Sequence, residues 1–278
     1  MQAAGVTTIF HVSDLHFGWP AVPEQIDAIE QTIQSERFDV VAISGDLTQR
    51  ARAGEFQRAA VFIRDAAKVS RVITIPGNHD VAWWRAPLGI RKKARVYESY
   101  RKFVDPNLEP VLQVEGVTLV GINTAHGVTR RTLTWNLRDI SIIGDVNKKQ
   151  LEVARLIFEK APPRNARVIV MHHNPVRGEL SGRHGLKNTQ KILGAFAEMG
   201  VDLVLCGHDH QESVHYIEHT RKGTVISTAG TISDRSRGGR PSSVNFIEIG
   251  PQTIEVTTRV WAKDSRTFMK GPHKCFKR

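Results

Sequence analysis

Hydrophobic residues in the first half of the chain occur alternately in short continuous runs and in runs with helical spacing. The continuous runs at 7–12, 39–43 and 71–75 are rich in β-branched residues, which predicts buried strands. Between them, 22–35 and 55–68 carry apolar residues three or four positions apart, which predicts amphipathic helices. Strands that alternate with helices are typical of βαβ units, so we expect a parallel sheet covered on both faces.

The second half of the chain starts with two strand patterns, 109–114 and 117–123, which a Glu-Gly turn joins as a hairpin. Helix and strand patterns then alternate again as far as residue 206. Four more strand patterns follow without a helix between them, at 213–218, 223–227, 244–249 and 253–260. Such a series predicts an antiparallel meander. We therefore predict one α/β domain at 1–262 with a mixed C-terminal sheet portion, followed by a basic tail at 263–278.

Polar motifs rich in Asp, His and Asn stand directly after five of the predicted strands. They are Asp14-Leu15-His16, Gly45-Asp46, Gly77-Asn78-His79-Asp80, His172-His173-Asn174-Pro175 and Gly207-His208-Asp209-His210. The intervals from Asp14 to Asp46 and from Asp46 to Asn78 are both 32 residues, close to the length of one βαβ unit. Ligands of open α/β sheets bind outside the carboxyl ends of the strands, so we expect the five motifs to meet at one edge.

The side chains that these motifs bring together are two Asp, one Asn and four His. This mixture of oxygen and imidazole ligands suits Mn, Fe or Zn better than Ca²⁺ or Mg²⁺. Seven ligands are too many for one tetrahedral ion and match two ions that share a bridging carboxylate. Two ions about 3.5–4 Å apart hold the attacking and leaving oxygens of an in-line displacement in many phosphatases and nucleases. The motifs therefore predict hydrolysis of a phosphate ester at a dinuclear centre.

Taken together, the five motifs resemble those of the calcineurin-like metallophosphoesterase superfamily, and the resemblance extends over residues 7–249. It implies a four-layer αββα sandwich of two mixed β-sheets flanked by helices. It also implies the ligand sets: Asp14, His16 and His210 for one metal, Asn78, His172 and His208 for the other, and Asp46 as the bridge. In the His-His pair we choose His172 over His173, because the family usually places its ligand first in such a block.

The resemblance also implies the catalytic residues, because His79 corresponds to the catalytic histidine of the family and Asp80 is expected to orient it. Two cations lower the pKa of a bridging water and so supply hydroxide near neutral pH. This hydroxide is expected to attack phosphorus. His79 would stabilise the charge that develops or protonate the leaving alkoxide as a general acid.

The substrate prediction rests on the branch that the motifs resemble most, which contains bacterial cyclic-nucleotide phosphodiesterases. We therefore expect a metal-dependent phosphodiesterase that acts on cyclic nucleotides or similar small diesters. Trp83 or Trp84 would stack on a planar group or pack a cap segment, and Arg85 or Arg177 would contact phosphate. Asn123, after a predicted strand, either donates to phosphate or caps a turn.

The strong positive charge of the chain leaves other substrates open. The net charge is +11 and the isoelectric point about 9.9, which favours anionic partners such as nucleotides, nucleic acid or anionic lipid. The segments 81–104 and 126–143 are candidate cap segments, and the first has the composition of an interfacial amphipathic helix. A lipid-linked pyrophosphatase or phosphodiesterase of the UDP-diacylglucosamine type is therefore the second hypothesis. A nuclease is the third, supported by the basic run at 234–240, and a scaffold without catalysis is disfavoured because no ligand is missing.

The sequence also predicts a cellular compartment, because it has few cysteines and no long apolar run. The chain has two cysteines, Cys206 and Cys275, which do not form a CxxC pair. No secretory pattern begins the sequence, and no apolar run reaches the ~20 residues of a membrane span. We therefore expect a cytoplasmic protein, peripheral to the membrane if the lipid hypothesis holds.

Overall fold

The structure is a computed structural model that describes six ranges of the chain: 5–82, 93–126, 143–178, 185–220, 222–236 and 238–278. Three of the residues predicted to contact substrate, Trp83, Trp84 and Arg85, lie outside these ranges. So does most of the predicted cap segment 126–143. Predictions about them stay predictions.

The described residues contain twelve strands and five α-helices. The strands are β1 Thr7–Val12, β2 Val40–Ile43, β3 Arg71–Thr74, β4 Val111–Val114, β5 Val117–Ile122, β6 Ala166–His173, β7 Leu203–Gly207, β8 Ser213–Ile217, β9 Thr224–Thr228, β10 Ser243–Ile249, β11 Thr253–Ala262 and β12 Thr267–Lys277. The helices are α1 Pro23–Glu36, α2 Ala53–Ala66, α3 Glu98–Phe103, α4 Lys148–Lys160 and α5 Thr189–Glu198. Short 3-10 helices occur at Asn78–Asp80 and Lys93–Tyr97.

The strands form two mixed sheets of six strands each. The order in the first sheet is β12-β11-β10-β1-β2-β3, with β1, β2 and β3 parallel to one another. The order in the second sheet is β4-β5-β6-β7-β9-β8, with β5, β6, β7 and β9 parallel. The predicted βαβ units of the first half are confirmed.

Three hydrophobic layers hold the sheets and helices together. Helices α1, α2 and α3 cover one face of the first sheet, where Phe10 and Val41 pack with residues such as Ile29. The inner faces of the two sheets pack on each other, and α4 and α5 cover the outer face of the second sheet. Neighbouring residues of β1 point in opposite directions, so Phe10 faces the helices and Ile9 faces the second sheet. The predicted four-layer αββα sandwich is therefore confirmed.

The predicted antiparallel meander of the last strands is confirmed for two of its pairings, β8 with β9 and β10 with β11, but it is wrong as one continuous series. Strands β8 and β9 extend the second sheet, where β9 runs parallel to β7, whereas β10 and β11 belong to the first sheet. Strand β10 pairs with β1 from the start of the chain. The alternation of apolar residues shows which face of a strand is buried, but it does not show which strand is the neighbour.

The segment 263–278, predicted to be a basic tail outside the domain, is instead largely part of the first sheet. Its residues 267–277 form β12, which pairs with β11 along most of its length. Phe268 is buried and packs against Trp261, with their ring centroids 5.1 Å apart. The basic side chains of this strand lie at exposed positions, and the few apolar anchors between them are enough to hold it on the sheet.

The described part of the segment 81–104 packs as ordinary core. Tyr100 on α3 is completely buried in the helical layer, 6.2 Å from the ring of Phe56 on α2. This arrangement differs from an interfacial amphipathic helix, whose apolar face is open to lipid. In the described ranges no helix is long and apolar enough to cross a membrane.

Candidate metal centre

The loops that follow β1, β2, β3 and β7, together with the last residues of β6, place all seven predicted metal ligands close together. In the first cluster, His16 Nε2 lies 3.2 Å from His210 Nε2 and 3.7 Å from Asp14 Oδ1. The distance from His210 Nε2 to the same Asp14 oxygen is 3.1 Å. Asp46 Oδ2 completes this cluster, 3.9 Å from His16 Nε2.

The second cluster adjoins the first and contains Asn78, His172 and His208. The Asn78 amide oxygen lies 3.0 Å from His172 Nε2 and 2.9 Å from His208 Nδ1. The two ring nitrogens are 3.3 Å apart. Asp46 Oδ2 is 3.4 Å from His172 Nε2, so one carboxylate oxygen borders both clusters.

These distances are those expected of ligand atoms around metal ions. Ligand atoms about 2.0–2.2 Å from a tetrahedral ion lie roughly 3–4 Å from one another. The atoms concerned can offer lone pairs, and among the described residues no hydrogen-bond donor satisfies the buried Asp14 Oδ1. A buried oxygen without a donor is costly unless a cation satisfies it. The residues present therefore fit two metal ions, with Asp46 between them.

The electrostatics of the centre favour positive charge at the same place. Burial opposes protonation of His172, but the adjacent Asp46 carboxylate outweighs burial and raises the pKa of His172 to about 9. Burial would raise the pKa of Asp46, but His172 and other nearby rings hold that pKa well below its usual range. Burial lowers the pKa of His16 and of His208 to about 3, so both rings are neutral and offer lone pairs. The negative potential that holds a proton on His172 would also attract a cation.

Backbone carbonyls orient two of the ligand rings. His172 Nδ1 lies 2.8 Å from the Ser44 carbonyl oxygen, and His210 Nδ1 lies 3.1 Å from the Arg235 carbonyl oxygen. A carbonyl oxygen only accepts, so Nδ1 of each ring carries a hydrogen. Nε2 of each ring is thereby directed towards the clusters, which is the usual arrangement of histidines that bind metals.

The backbone of the centre is strained. Five of the seven ligand candidates have positive φ angles: Asp14, His16, Asp46, His208 and His210. Residues other than glycine seldom adopt this left-handed conformation, which costs of order 1–3 kcal/mol each. The surrounding fold therefore stabilises a conformation that the loops would not prefer by themselves.

Two glycines allow the ligand loops to approach each other. A Cβ atom on Gly77 would lie 2.2 Å from the backbone nitrogen of Asp46, and one on Gly207 would lie 1.9 Å from Ser13 Oγ. Neither distance is tolerable. The glycine that precedes Asn78 and the one that precedes His208 are thus required by close packing of the loops.

The structure distinguishes the two histidines of the His-His pair. His172 Nε2 faces Asn78 and Asp46, as described above. His173 Nδ1 instead lies 2.7 Å from Thr124 Oγ1, and its ring packs against His208 with centroids 4.5 Å apart. This geometry supports the choice of His172 as the ligand, and a ring nitrogen of His173 also lies within 4.8 Å of ligand nitrogens of His172 and His208.

The predicted contact between Asp80 and His79 is wrong. The four donors to the Asp80 carboxylate are the backbone N–H groups of Leu47, Thr48 and Gly77 and the Thr48 hydroxyl, at 2.8–3.0 Å. His79 Nδ1 lies 2.9 Å from the Gln49 carbonyl oxygen instead. Successive residues of the 3-10 turn project in different directions, so Asp80 holds the loop that carries Asp46 and Gln49 orients His79.

The other predicted substrate contacts have different outcomes. The Asn123 amide donates to the Tyr97 hydroxyl and accepts from the Ala125 backbone N–H, so Asn123 caps a turn. Its predicted alternative role as a phosphate donor stays a prediction. Arg177 is exposed, four residues beyond His173, and its contact with phosphate stays a prediction.

Arg235 is the residue of this site that sequence reasoning missed. Its Nη1 lies 3.1 Å from His79 Nε2 and 3.1 Å from Gln49 Oε1. The sequence shows it only as one member of a basic run, 25 residues after His210 and in no motif. Only the three-dimensional arrangement reveals its position.

Comparisons with known proteins give a family and a fold. A family model described as calcineurin-like phosphoesterase matches residues 7–212. No curated protein matches the chain.

Three solved structures have similar folds. The purple acid phosphatase PPD1 from yellow lupin, Lupinus luteus, has a TM-score of 0.69 at 12% identity, and the match covers 99% of this chain and 54% of that chain. PhoD has a TM-score of 0.63 at 11% identity, covering 100% of this chain and 69% of that one. GAP50, the anchor in the inner membrane complex of Plasmodium, has a TM-score of 0.58 at 14% identity, and the match covers 93% of this chain and 86% of that one. The chain thus spans about half the length of the lupin protein, and these likenesses show the fold alone.

Proposed function

The chain belongs to the calcineurin-like phosphoesterase family, and from this premise we propose that it hydrolyses phosphate esters with two bound transition-metal ions. The observation that carries the proposal is the pair of adjacent ligand clusters that share Asp46 Oδ2. This oxygen lies 3.9 Å from His16 Nε2 and 3.4 Å from His172 Nε2. The family uses a dinuclear metal centre, and both ligand sets are complete in this chain. We assign Mn, Fe or Zn from the mixture of carboxylate, amide and imidazole ligands.

Each cluster would hold one ion. Asp14, His16 and His210 would bind the first ion, and Asp46 would bridge the two. The second ion would be bound by Asn78, His172 and His208. When bound, the two ions supply a nucleophile at neutral pH and neutralise charge on the phosphoryl oxygens. The buried carboxylates and imidazoles of the chain maintain this site in a surrounding from which most water is excluded.

His79 is the residue that we assign to proton transfer. Its backbone N–H donates to Asp46 Oδ1 at 2.8 Å, which fixes the ring beside the first cluster. The His79 and His16 rings are perpendicular, with centroids 4.9 Å apart. The Gln49 carbonyl holds Nδ1, so Nε2 is the atom that can give a proton to the leaving oxygen.

For the substrate we propose a cyclic nucleotide or a similar small diester. The motifs support it through the branch that they resemble. Trp19 adds a second support, because its indole is 86% exposed three residues after His16 and can stack on a planar base. The Trp19 loop is joined to the Arg235 loop, since the Asp234 N–H donates to the Pro20 carbonyl at 3.2 Å. We propose a cytoplasmic location, where a reducing environment suits the two free cysteines.

The first test measures metal content and hydrolysis together. We expect purified protein reconstituted with Mn²⁺ to bind two ions per chain and to hydrolyse bis(p-nitrophenyl) phosphate. Asp46→Asn should bind fewer ions and lose more than about 100-fold in kcat/KM, since changes that only support a metal ligand already cost 10–100-fold. Asp27→Asn, a substitution on the solvent side of α1, is the matched control and should behave as wild type. Wild-type protein that binds no metal or is inactive would refute the proposal.

The second test identifies the substrate. The panel contains 2′,3′- and 3′,5′-cyclic nucleotides, a base-free diester such as glycerophosphoethanolamine, a phosphate monoester, a UDP-linked lipid and single-stranded DNA. We expect the cyclic nucleotides to be preferred. Trp19→Ala should raise the KM for them and leave the KM for the base-free diester unchanged. Preference for the UDP-linked lipid or for DNA would replace the proposed substrate with the corresponding alternative.

A further inference from the structure

Arg235 lies on a loop that is fastened to the first cluster. The loop follows β9, where the Thr231 hydroxyl and the Ile232 N–H both donate to the Asp14 carbonyl, at 2.9 and 3.1 Å. The Arg235 carbonyl in turn accepts from His210 Nδ1. The backbone on both sides of this arginine is therefore fixed relative to the ligands Asp14 and His210.

The Arg235 side chain extends over His79. Its two hydrogen bonds, to His79 Nε2 and to Gln49 Oε1, both use Nη1. In the described part of the chain no carboxylate lies within salt-bridge distance of the guanidinium, which is only partly exposed. A half-buried guanidinium without an anion is unusual, because the desolvated charge is normally paired.

The donors that remain on Arg235 match a phosphate. Guanidinium carries five N–H donors, and within the described ranges only those of Nη1 have a partner, so the Nε and Nη2 hydrogens remain. These hydrogens lie on one edge of the planar group, which is the edge that binds two phosphate oxygens at once. The site therefore holds a preformed set of hydrogen-bond donors for phosphate at the border of the first cluster.

The contact with His79 defines the state of that ring. Arginine only donates, so His79 Nε2 must accept from Nη1, and Nδ1 must donate to the Gln49 carbonyl. While Arg235 donates to it, Nε2 holds no proton, so it must take up a proton from solvent before it can protonate the leaving oxygen.

We propose that Arg235 binds the phosphoryl group of the substrate through its Nε and Nη2 hydrogens, while Nη1 stays on His79 and Gln49. This inference rests on the proposed phosphoesterase function and adds the residue that recognises the phosphate. The ligand class is a phosphate ester anion, and the product orthophosphate or phosphate monoester would bind in the same way.

The test compares variants of Arg235 with a matched arginine elsewhere. Arg235→Gln removes the charge and the fork, and Arg235→Lys keeps the charge alone. Arg155→Gln removes a partly exposed arginine of α4, which pairs with Glu198 in the helical layer on the second sheet. We expect Arg235→Gln to weaken orthophosphate binding to the Mn²⁺-loaded protein by about 10- to 100-fold, the value of a charged hydrogen-bonded contact. The phosphate affinity of Arg235→Lys should lie between those of wild type and Arg235→Gln. Arg155→Gln should bind phosphate as wild type does.

Calorimetric binding of orthophosphate needs no turnover, so it separates this inference from the proposed function. If wild-type protein binds Mn²⁺ and phosphate but hydrolyses nothing, the function fails and the Arg235 comparison still stands. If the protein is active, the same substitution should raise KM more than it lowers kcat. Unchanged phosphate affinity and unchanged KM in Arg235→Gln, with both metals bound, would overturn the inference. Arg235→Met gives the same comparison if the Gln variant binds less metal.

Discussion

Asp46 uses its two carboxylate oxygens for different purposes. Oδ2 borders both clusters, while Oδ1 accepts the N–H of His79, and the backbone carries a φ of 52°. The metal ligand and the catalytic ring are thus positioned by one side chain. At this scale the sequence predicted that the seven ligand candidates would meet, because each stands at or near the carboxyl end of a strand. It did not predict Arg235, since a single arginine in a basic run has no local signature.

At the same scale, the role of His79 predicts a kinetic effect without loss of metal. His79→Gln removes the ring and keeps the backbone N–H that donates to Asp46. We expect kcat to fall by about 10²–10⁴-fold, the usual contribution of a positioned acid or base. Metal content, measured by elemental analysis, should stay at the wild-type value. Full activity in His79→Gln would exclude the ring from proton transfer, whereas loss of metal would make it a structural residue.

At the scale of elements, the loops after β2 and β3 are joined through Asp80. Burial, and after it the nearby Asp46, raises the pKa of Asp80 to about 7, although four donors to its oxygens favour the charged form. The sequence could place the Gly-Asn-His-Asp turn at the end of β3. It could not show that Asp80 turns away from His79 and satisfies the neighbouring loop, because that depends on the packing of two loops whose separation along the chain is about 30 residues.

Asp80→Ala should therefore destabilise the fold more than its position beside the active site suggests. It leaves the backbone N–H groups of Leu47, Thr48 and Gly77 without an acceptor, and each such group costs about 1–3 kcal/mol when it stays buried. The Thr48 hydroxyl can still donate to the His79 carbonyl, 3.2 Å away. We expect the free energy of unfolding in urea to fall by roughly 3 kcal/mol or more. Asp65→Ala, which removes a partly exposed aspartate of α2 that pairs with Lys68 at the surface, should change it much less. Equal stability of the two variants would contradict the structural role.

The buried hydroxyl of Tyr97 leads to a prediction about the stability of the protein at alkaline pH. The Tyr97 hydroxyl donates to the Ala125 carbonyl and accepts from Asn123, and burial raises its pKa to about 12. In the unfolded chain this pKa is about 10. The stability that the neutral hydroxyl contributes is therefore fully present below pH 10 and is lost as the pH rises from 10 to 12.

The corresponding experiment compares Tyr97→Phe with wild type across that range. At neutral pH the Phe variant should be less stable by about 1–3 kcal/mol, because Asn123 and the Ala125 carbonyl lose a partner. As the pH rises from 10 to 12, wild type should lose stability more steeply, so the difference between the proteins should shrink. Denaturant midpoints measured at intervals of half a pH unit check this. A difference that is constant with pH would show that the hydroxyl is not protonated preferentially in the fold.

At the scale of the whole molecule, β12 links the two sheets at the edge of the sandwich where β8 also lies. Phe276 on β12 stacks on Tyr216 of β8, with centroids 5.6 Å apart. Lys274 Nζ donates to the Val214 carbonyl at 2.8 Å. This segment was predicted to be a basic tail, because the alternation of apolar and polar residues in β12 is weak and its few apolar residues are separated by lysines. The contact between strands more than 50 residues apart is not visible in the composition.

Removal of residues 267–278 should consequently destabilise the protein rather than trim it. The truncation exposes the edge of β11, takes Phe268 out of the helical core layer and separates β8 from the first sheet. An unpaired edge strand also invites association with other chains. We expect a lower yield of soluble monomer and a lower melting temperature, measured by size-exclusion chromatography and calorimetry. Phe268→Ala should reproduce most of the loss, about 3–5 kcal/mol for a buried aromatic ring, whereas Lys270→Ala, at an exposed position of the same strand, should change little. If the truncated protein melts at the wild-type temperature and stays monomeric, β12 does not contribute to the stability of the sandwich.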